Sequence, residues 1–396
     1  MKHPKAAPVK PKNRIEQIDV LRGFALFGVL LVNLFGYNAS FFDFSGFYSQ
    51  FKDPLNSTVY NLVVNYGSDK FIGLFSLLFG IGFSIMYTKY AHQESRFVQL
   101  YFRRLIILMG FGIIHIVLFW AGDILLSYSI LGLVLLLMRK LNTRLLLILS
   151  TLFYFLPIFY ISLNVMLPWL PNALSSTSEL SAEAIKETYS AGSFIEIFKL
   201  RMQEYYAFRY INVFYYAPKI LALFIAGYVF HRKNLFEKIN HSRIHYFIFG
   251  MLSLFIGILL NTYTLNIVDS IADANSNAYY TALYMGVFEV TNVFLIASYL
   301  LLVLTISTTS VFRKILKPLK NIGRMSLTNY LTYSVLFTTI MYSYGFGLFG
   351  SLNPVELVLV SVLFFTFQII YCTILLKYHQ YGPLEWVWRK LMYRNL

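Results

Sequence analysis

An all-α fold of about ten membrane-crossing helices is predicted by three properties of this chain: its composition, its apolar runs, and the side on which its basic residues fall. Hydrophobic residues make up 58% of the 396 and charged residues 13%, about half the charge fraction of a soluble domain. Runs able to cross about 30 Å of hydrocarbon occur at residues 18–37, 70–88, 105–120, 124–138, 145–167, 213–230, 246–264, 280–306, 326–344 and 355–376. Alternate connections between these runs carry 25 of the 33 Lys and Arg residues, the opposite connections seven, and Arg22 lies at the start of a run. That asymmetry puts both termini in the cytoplasm. The net charge of +15 is thereby an orientation signal, and nucleic acid is not expected as a partner. The lone cysteine, Cys372, can form no internal disulfide, and without CxxC or HExxH no metal site and no tightly bound cofactor are expected. The domain organisation predicted is a basic cytoplasmic tail at 1–17, one transmembrane domain at 18–376, and a cytoplasmic interfacial tail at 377–396.

The first run opens with Asp19-Val-Leu-Arg22-Gly23. At 100° per residue Asn33 falls about 20° and Asp19 about 60° from Arg22, so the three share one face. Two readings stand: an Asp19–Arg22 pair that locks the helix end with Asn33 bonded to a neighbouring helix, or Arg22 as an anion-binding group. On the second run Ser76, Gly80 and Ser84 make a row of small residues suited to close helix packing. The third run begins beside Arg103 and Arg104 and carries His115 eleven residues on, about 16 Å deeper. A histidine in hydrocarbon is either a satisfied core residue or a proton-transfer group. Runs three and four are short, so the tip of their hairpin is expected below the outer surface, with Asp123 capping the fourth helix, facing a vestibule, or both.

The longest connection, about 168–212, is placed outside. Phe194, Ile195, Phe198, Met202, Tyr205, Tyr206 and Tyr210 recur there at helical spacing among Glu196, Lys199, Arg201 and Glu204, which predicts an interfacial amphipathic helix, either a surface anchor or a lid. The eighth run carries Glu289 and Asn292 at a depth like that of His115, so a Glu289–His115 pair is one expectation. On the ninth, Ser326, Asn329, Tyr330 and Tyr333, just after Arg324, make a polar stripe that either bonds neighbouring helices or lines a cavity. The tail after residue 377 places Trp386 and Trp388 among basic residues, an anchoring composition, and Glu385 stands four residues before Arg389.

The Asp19-Val-Leu-Arg22-Gly23 opening, Phe75-Ser-Leu-Leu-Phe79-Gly80, the block from Arg103 through His115 to Gly122-Asp123, Gly323-Arg-Met-Ser-Leu-Thr-Asn329, and Gly382-Pro-Leu-Glu-Trp386 together resemble the YeiB-like family of bacterial membrane proteins. The likeness spans nearly the whole chain and implies a bacterial cell-membrane protein of a family largely without assigned function. Its Asp-x-x-Arg-Gly block is also similar to that of membrane acyltransferases, including relatives of heparan-α-glucosaminide N-acetyltransferase. That resemblance implies an acyl-coenzyme A donor held by Arg22, Arg103 and Arg104. It implies His115 as general base and a small-molecule or lipid-linked acceptor on the outer side, and Glu289 and Asp123 are the further candidate catalytic residues. Asp19, Asn33, Asn292, Arg324, Asn329 and Tyr333 are then the expected lining of a cavity between the ends. A transporter or flippase of small amphipathic molecules, or a scaffold embedded in the bilayer, are the alternatives, because buried Asp, Arg, His and Glu also suit proton-coupled movement. The orientation is testable directly. Impermeant thiol reagents added outside should label cysteines placed at Asn172 and Asn275 and spare those at Lys140 and Lys317; the reverse pattern overturns the topology.

Overall fold

The computed structural model describes residues 15–166, 180–273 and 278–393. The basic tail before residue 15, the polar stretch up to 179, and Asn172 and Asn275 lie outside the described residues. No strand occurs among the described residues, and all ten predicted runs are helical. In chain order the helices are α1 (Glu16–Asn38), α2 (Phe44–Ser49), α3 (Pro54–Tyr66), α4 (Lys70–Lys89), α5 (Glu94–Leu118), α6 (Leu125–Leu137), α7 (Thr143–Met166), α8 (Ala182–Ala191), α9 (Phe194–Ala207), α10 (Arg209–Ile211), α11 (Ala217–Arg232), α12 (Leu235–His241), α13 (Arg243–Asp273), α14 (Ala278–Ser307), α15 (Ser310–Arg324), α16 (Ser326–Met341), α17 (Pro354–Tyr378) and α18 (Pro383–Met392). Eight helical stretches among the described residues are long and apolar enough to cross a membrane. The remaining two predicted runs are α6, with 13 residues, and α16, with 16.

Several helices lie outside the predicted apolar runs, and three of them bear on the site. Asp53 caps α3 by accepting the Asn56 amide, with Pro54 at the first helical position. α15 carries Arg313, Lys314, Lys317, Lys320 and Arg324 with no acidic residue, and α18 turns the C-terminal tail back onto the bundle against α5 and α16. α5 starts eleven residues before its apolar run, because hydropathy sees only the part of a helix that lies in hydrocarbon.

α1 is the central helix: 72% of its most apolar window is buried, against 22% for α7 and α13. It packs on α4, α14, α15, α16 and α17. Leu152, Phe159, Phe249 and Phe255 on the outer helices are exposed, as expected of surfaces that meet lipid. Glycines set the closest crossings. Gly80 of α4 lies against the Phe224 backbone of α11 while Gly227 of α11 lies against the Leu77 backbone, and Gly23 and Gly323 make the same reciprocal contact between α1 and α15. The predicted small-residue row therefore does pack helices, and its serines add bonds: Ser76 Oγ is 2.7 Å from the Tyr128 hydroxyl, Ser84 Oγ 2.8 Å from His231 Nδ1. A Cβ at Gly323 would collide with the Asp19 carbonyl, whereas one at Gly110 meets nothing within 4 Å. Gly323→Val should accordingly cost about 1–3 kcal/mol of overpacking in detergent unfolding, and Gly110→Ala should be neutral or stabilising. Equal effects would remove the crossing argument.

Candidate functional site

The polar groups predicted to share one cavity form two buried clusters toward the predicted outer side and a basic end on the predicted cytoplasmic side. The first outer cluster is built by α1, α5, α16 and the α5–α6 turn. His115 is fully buried near the end of α5, and its Nδ1 lies 3.1 Å from Asp123 Oδ2. The pair is in contact but not aligned as a hydrogen bond, and Nε2 has no hydrogen-bond partner among the described residues. The other Asp123 oxygen accepts the Leu126 amide at 2.8 Å. Asp123 thus takes the capping role its position in the sequence suggested and is also the neighbour of the imidazole, which the sequence did not show. The Tyr330 ring stands 5.2 Å from the imidazole, and Tyr37, Tyr330 and Tyr333 are all within electrostatic range of Asp123. Asn33 donates to the Tyr333 hydroxyl at 3.4 Å, and Tyr37 and Ser334 share a bond of 2.8 Å. The helix-bonding reading of Asn33 is therefore the one realised.

α9 closes this cluster, and the face it turns to the protein is not the aromatic stripe. Its aromatic and aliphatic stripe points outward, with Ile195 and Tyr206 well exposed, while Ile197, Leu200, Arg201 and Glu204 are buried. The cause is the end of α5. Arg201 donates to the carbonyls of Val117, Leu118 and Phe119, which a helix terminus leaves without partners and where a cation is favoured. Glu204 takes the Ser40 hydroxyl, the Phe41 amide at 3.2 Å and the Tyr189 hydroxyl at 2.7 Å. Burial pushes its carboxyl above the usual range, and the bonds from Ser40 and Tyr189 oppose that shift. Two polar side chains thus latch α8 and α9 onto the ends of α1 and α5.

The expected Glu289–His115 pair is not formed. Glu289 belongs to the second outer cluster, where Oε1 receives Lys219 Nζ at 2.7 Å and the Tyr215 hydroxyl at 2.6 Å, and Oε2 receives Asn292 at 3.3 Å. Lys219 also bonds Asp69 at 3.0 Å. Equal depth on two helices says nothing about which faces they turn to each other, and the lysine outcompetes a distant imidazole. Asp69 and Lys70 were missed because they border an apolar run, and Lys219 because it was counted among the outer-side charges. The signal available was that Lys219 stands six residues inside the run 213–230, after Pro218.

At the cytoplasmic end Arg22 pairs with Asp19 at 3.4 Å. The Arg104 guanidinium lies 5.2 Å from the Trp388 ring, 5.3 Å from Phe79 and 5.9 Å from Tyr101, within electrostatic range of Arg22 and Arg389. Arg103 is half-buried one residue away. Arg324 donates to the Gln380 carbonyl at 3.0 Å, and Asn329 to the Ile322 carbonyl and Cys372. These two, with Asn33 and Tyr333, tie helices together, whereas Asn292 bonds Glu289 within α14. Surface clefts of about 570 and 400 Å³ are lined by residues such as Gln99 and Arg139, and Tyr48 and Lys52; neither reaches Arg22, Arg104 or His115. No group of three His, Cys, Asp or Glu able to hold a metal occurs among the described residues.

Glu385 caps α16 instead of pairing with Arg389: it accepts the Leu327 and Thr328 amides at 2.8 and 3.0 Å and the Thr328 hydroxyl at 2.6 Å. Burial raises its carboxyl above the ordinary glutamate value, against the opposing bonds from Thr328. The folded chain then holds that proton more tightly than the unfolded chain, so stability falls as pH rises from the ordinary glutamate value through the raised one. Glu385→Gln should flatten this slope in unfolding measured between pH 4 and 8; an unchanged slope would remove Glu385 as its source.

The chain is 30% identical to the uncharacterised protein YxaH of Bacillus subtilis (strain 168), over 98% of this chain and 96% of that one. It is 27% identical to an uncharacterised 39.9 kDa protein of the amylase 3′ region of Bacillus acidopullulyticus, with the same coverage. Against the uncharacterised protein YeiB of Escherichia coli (strain K12) it is 25% identical, over 95% of this chain and 96% of that one. The family described as a protein of unknown function, DUF418, matches residues 230–395. No solved structure matches. End-to-end similarity at this level, carried by a helical bundle with membrane-length helices, makes this chain a member of the YeiB-like DUF418 family of membrane proteins of unknown function.

Proposed function

We propose that this protein is a membrane-embedded acyltransferase of the bacterial cell membrane, moving an acyl group from a cytoplasmic coenzyme A thioester to a hydroxyl or amine at the outer side. The single observation that carries the reading is the buried His115–Asp123 pair with an unpartnered imidazole Nε2. In this reading Asp123 holds Nδ1 protonated and fixes the tautomer, and Nε2 takes the proton of the acceptor as its oxygen or nitrogen bonds to the thioester carbon. Collapse of the tetrahedral intermediate breaks the carbon–sulfur bond, and the imidazolium returns the proton to the leaving sulfur. The donor's phosphates fit the basic and aromatic end formed by Arg22, Arg103, Arg104 and Trp388, where guanidinium groups recognise phosphate and rings can stack an adenine. Arg104 and His115 are about 16 Å apart along one helix, so the donor has to be extended, as a coenzyme A thioester is. His115 is fully buried, which makes this a closed state, and release of the Arg201 and Glu204 latch would open it.

Transport of a small amphipathic solute is the second reading, favoured by the buried charges around Glu289. The two are separated in proteoliposomes. Under acyl transfer, His115→Ala abolishes movement of a labelled acyl group and leaves coenzyme A binding intact, Arg104→Ala weakens that binding, and the exposed His92→Ala changes neither. Solute flux that needs no acyl donor, and is lost in His115→Ala, would replace this reading with transport.

A further inference from the structure

We infer that the cluster of Asp69, Lys70, Lys219 and Glu289 is a binding site for a singly charged oxyanion, a carboxylate or phosphate group taken up together with one proton. The starting point is Lys70. It is completely buried, and its ammonium has no hydrogen-bond partner among the described residues; the face of Phe288, 4.8 Å away, is its recorded neighbour. An ammonium carries three donors, and in hydrocarbon such a group faces a partner or a ligand. Lys219 shows the contrast a few ångströms of sequence could not: its ammonium is matched by both carboxylates. Asn292 Oδ1 is a second buried polar atom left without a partner.

The backbone around these groups is irregular in the way ion sites in membranes are. The helix from Pro54 to Lys89 breaks at 67–69, where Asp69 adopts a φ of +61°. A π-helical stretch, Asn212–Tyr216, delivers Tyr215 to Glu289, and π-bulges mark functional positions disproportionately. The stoichiometry of the ligand follows from charge. Two ammonium groups and two carboxylates cancel, so an added anion leaves the dry site negative unless a proton enters with it. The titratable groups facing it are Asp69 and Lys70 of α4 and its junction, Tyr215, Tyr216 and Lys219 leading into and on α11, Glu289 and Tyr284 of α14, and Tyr154 of α7. The proton is taken by one of the two carboxylates.

The site stands independently of acyl transfer at His115. Purified full-length protein in phosphatidylcholine nanodiscs is titrated with acetate and with inorganic phosphate, following the thermal midpoint and proton uptake in weak buffer. A third sample replaces the soluble anions with phosphatidylglycerol in the disc. A rise in midpoint with acetate or phosphate identifies a free anion, and a rise with phosphatidylglycerol alone identifies a lipid headgroup. Either should come with about one proton per anion, as the charge count requires. Lys70→Met, or Lys70→Gln if the first does not fold, should lose the response, and the exposed Lys186→Met should keep it. Glu289→Gln removes one negative charge and should bind the anion without proton uptake. No response to any of the three anions, or an unchanged response in the Lys70 variant, overturns the site; anion binding without proton uptake in the wild type overturns the coupling.

Discussion

A charged side chain inside hydrocarbon has no water to turn to, and the arrangement of α1, α4, α5, α11 and α14 follows from where each one finds a substitute. Asp19 and Arg22 solve the problem within one helix turn. Asp69, Lys219 and Glu289 solve it across three helices, which fixes how α4, α11 and α14 face one another. Arg201 solves it with backbone, using the carbonyls that α5 cannot satisfy for itself. Packing contacts between apolar helices are no stronger in lipid than contacts with the lipid itself, so these polar ties and the glycine crossings specify the bundle.

The same constraint divides the outer half of the protein into two chemically different places. Around His115 the neighbours are tyrosines, an asparagine and a serine, with one carboxylate. Around Glu289 they are lysines and carboxylates in equal number. The first suits a group that exchanges a proton with a bound substrate, and the second suits recognition of charge. Both occur where helices are short, broken or bulged, since regular helix leaves no backbone irregularity to shape a pocket.

Apolar run length and the sidedness of Lys and Arg made the helices and their order legible, because both report on the membrane and not on tertiary contacts. His115 and Asp123 stood out as polar residues in apolar surroundings, and the cap role of Asp123 was readable from its place after Gly122. Their partnership was not, because a sequence gives depth along a helix but not the azimuth at which two helices meet. Lys70 was hidden by its position at the edge of a run, where a lysine ordinarily reaches the headgroups. On α9 helical periodicity identified the apolar stripe of an interfacial helix, but not that Arg201 and Glu204 on the other face are buried against the ends of α1 and α5.

The shortness of α6 has a consequence for the lipid itself. Thirteen residues rise about 20 Å, some 10 Å less than an ordinary hydrocarbon core. Ile130 and Leu137 on this helix are exposed, so acyl chains must meet a hydrophobic belt that is too narrow for them. A bilayer matched to this belt has its chains compressed or tilted beside α6, with the two leaflets pinched together locally. Its headgroup regions then come nearest to one another beside the hairpin that carries His115 and Asp123. A thicker, sterol-like membrane would resist that pinch and would disfavour the protein by elastic strain alone.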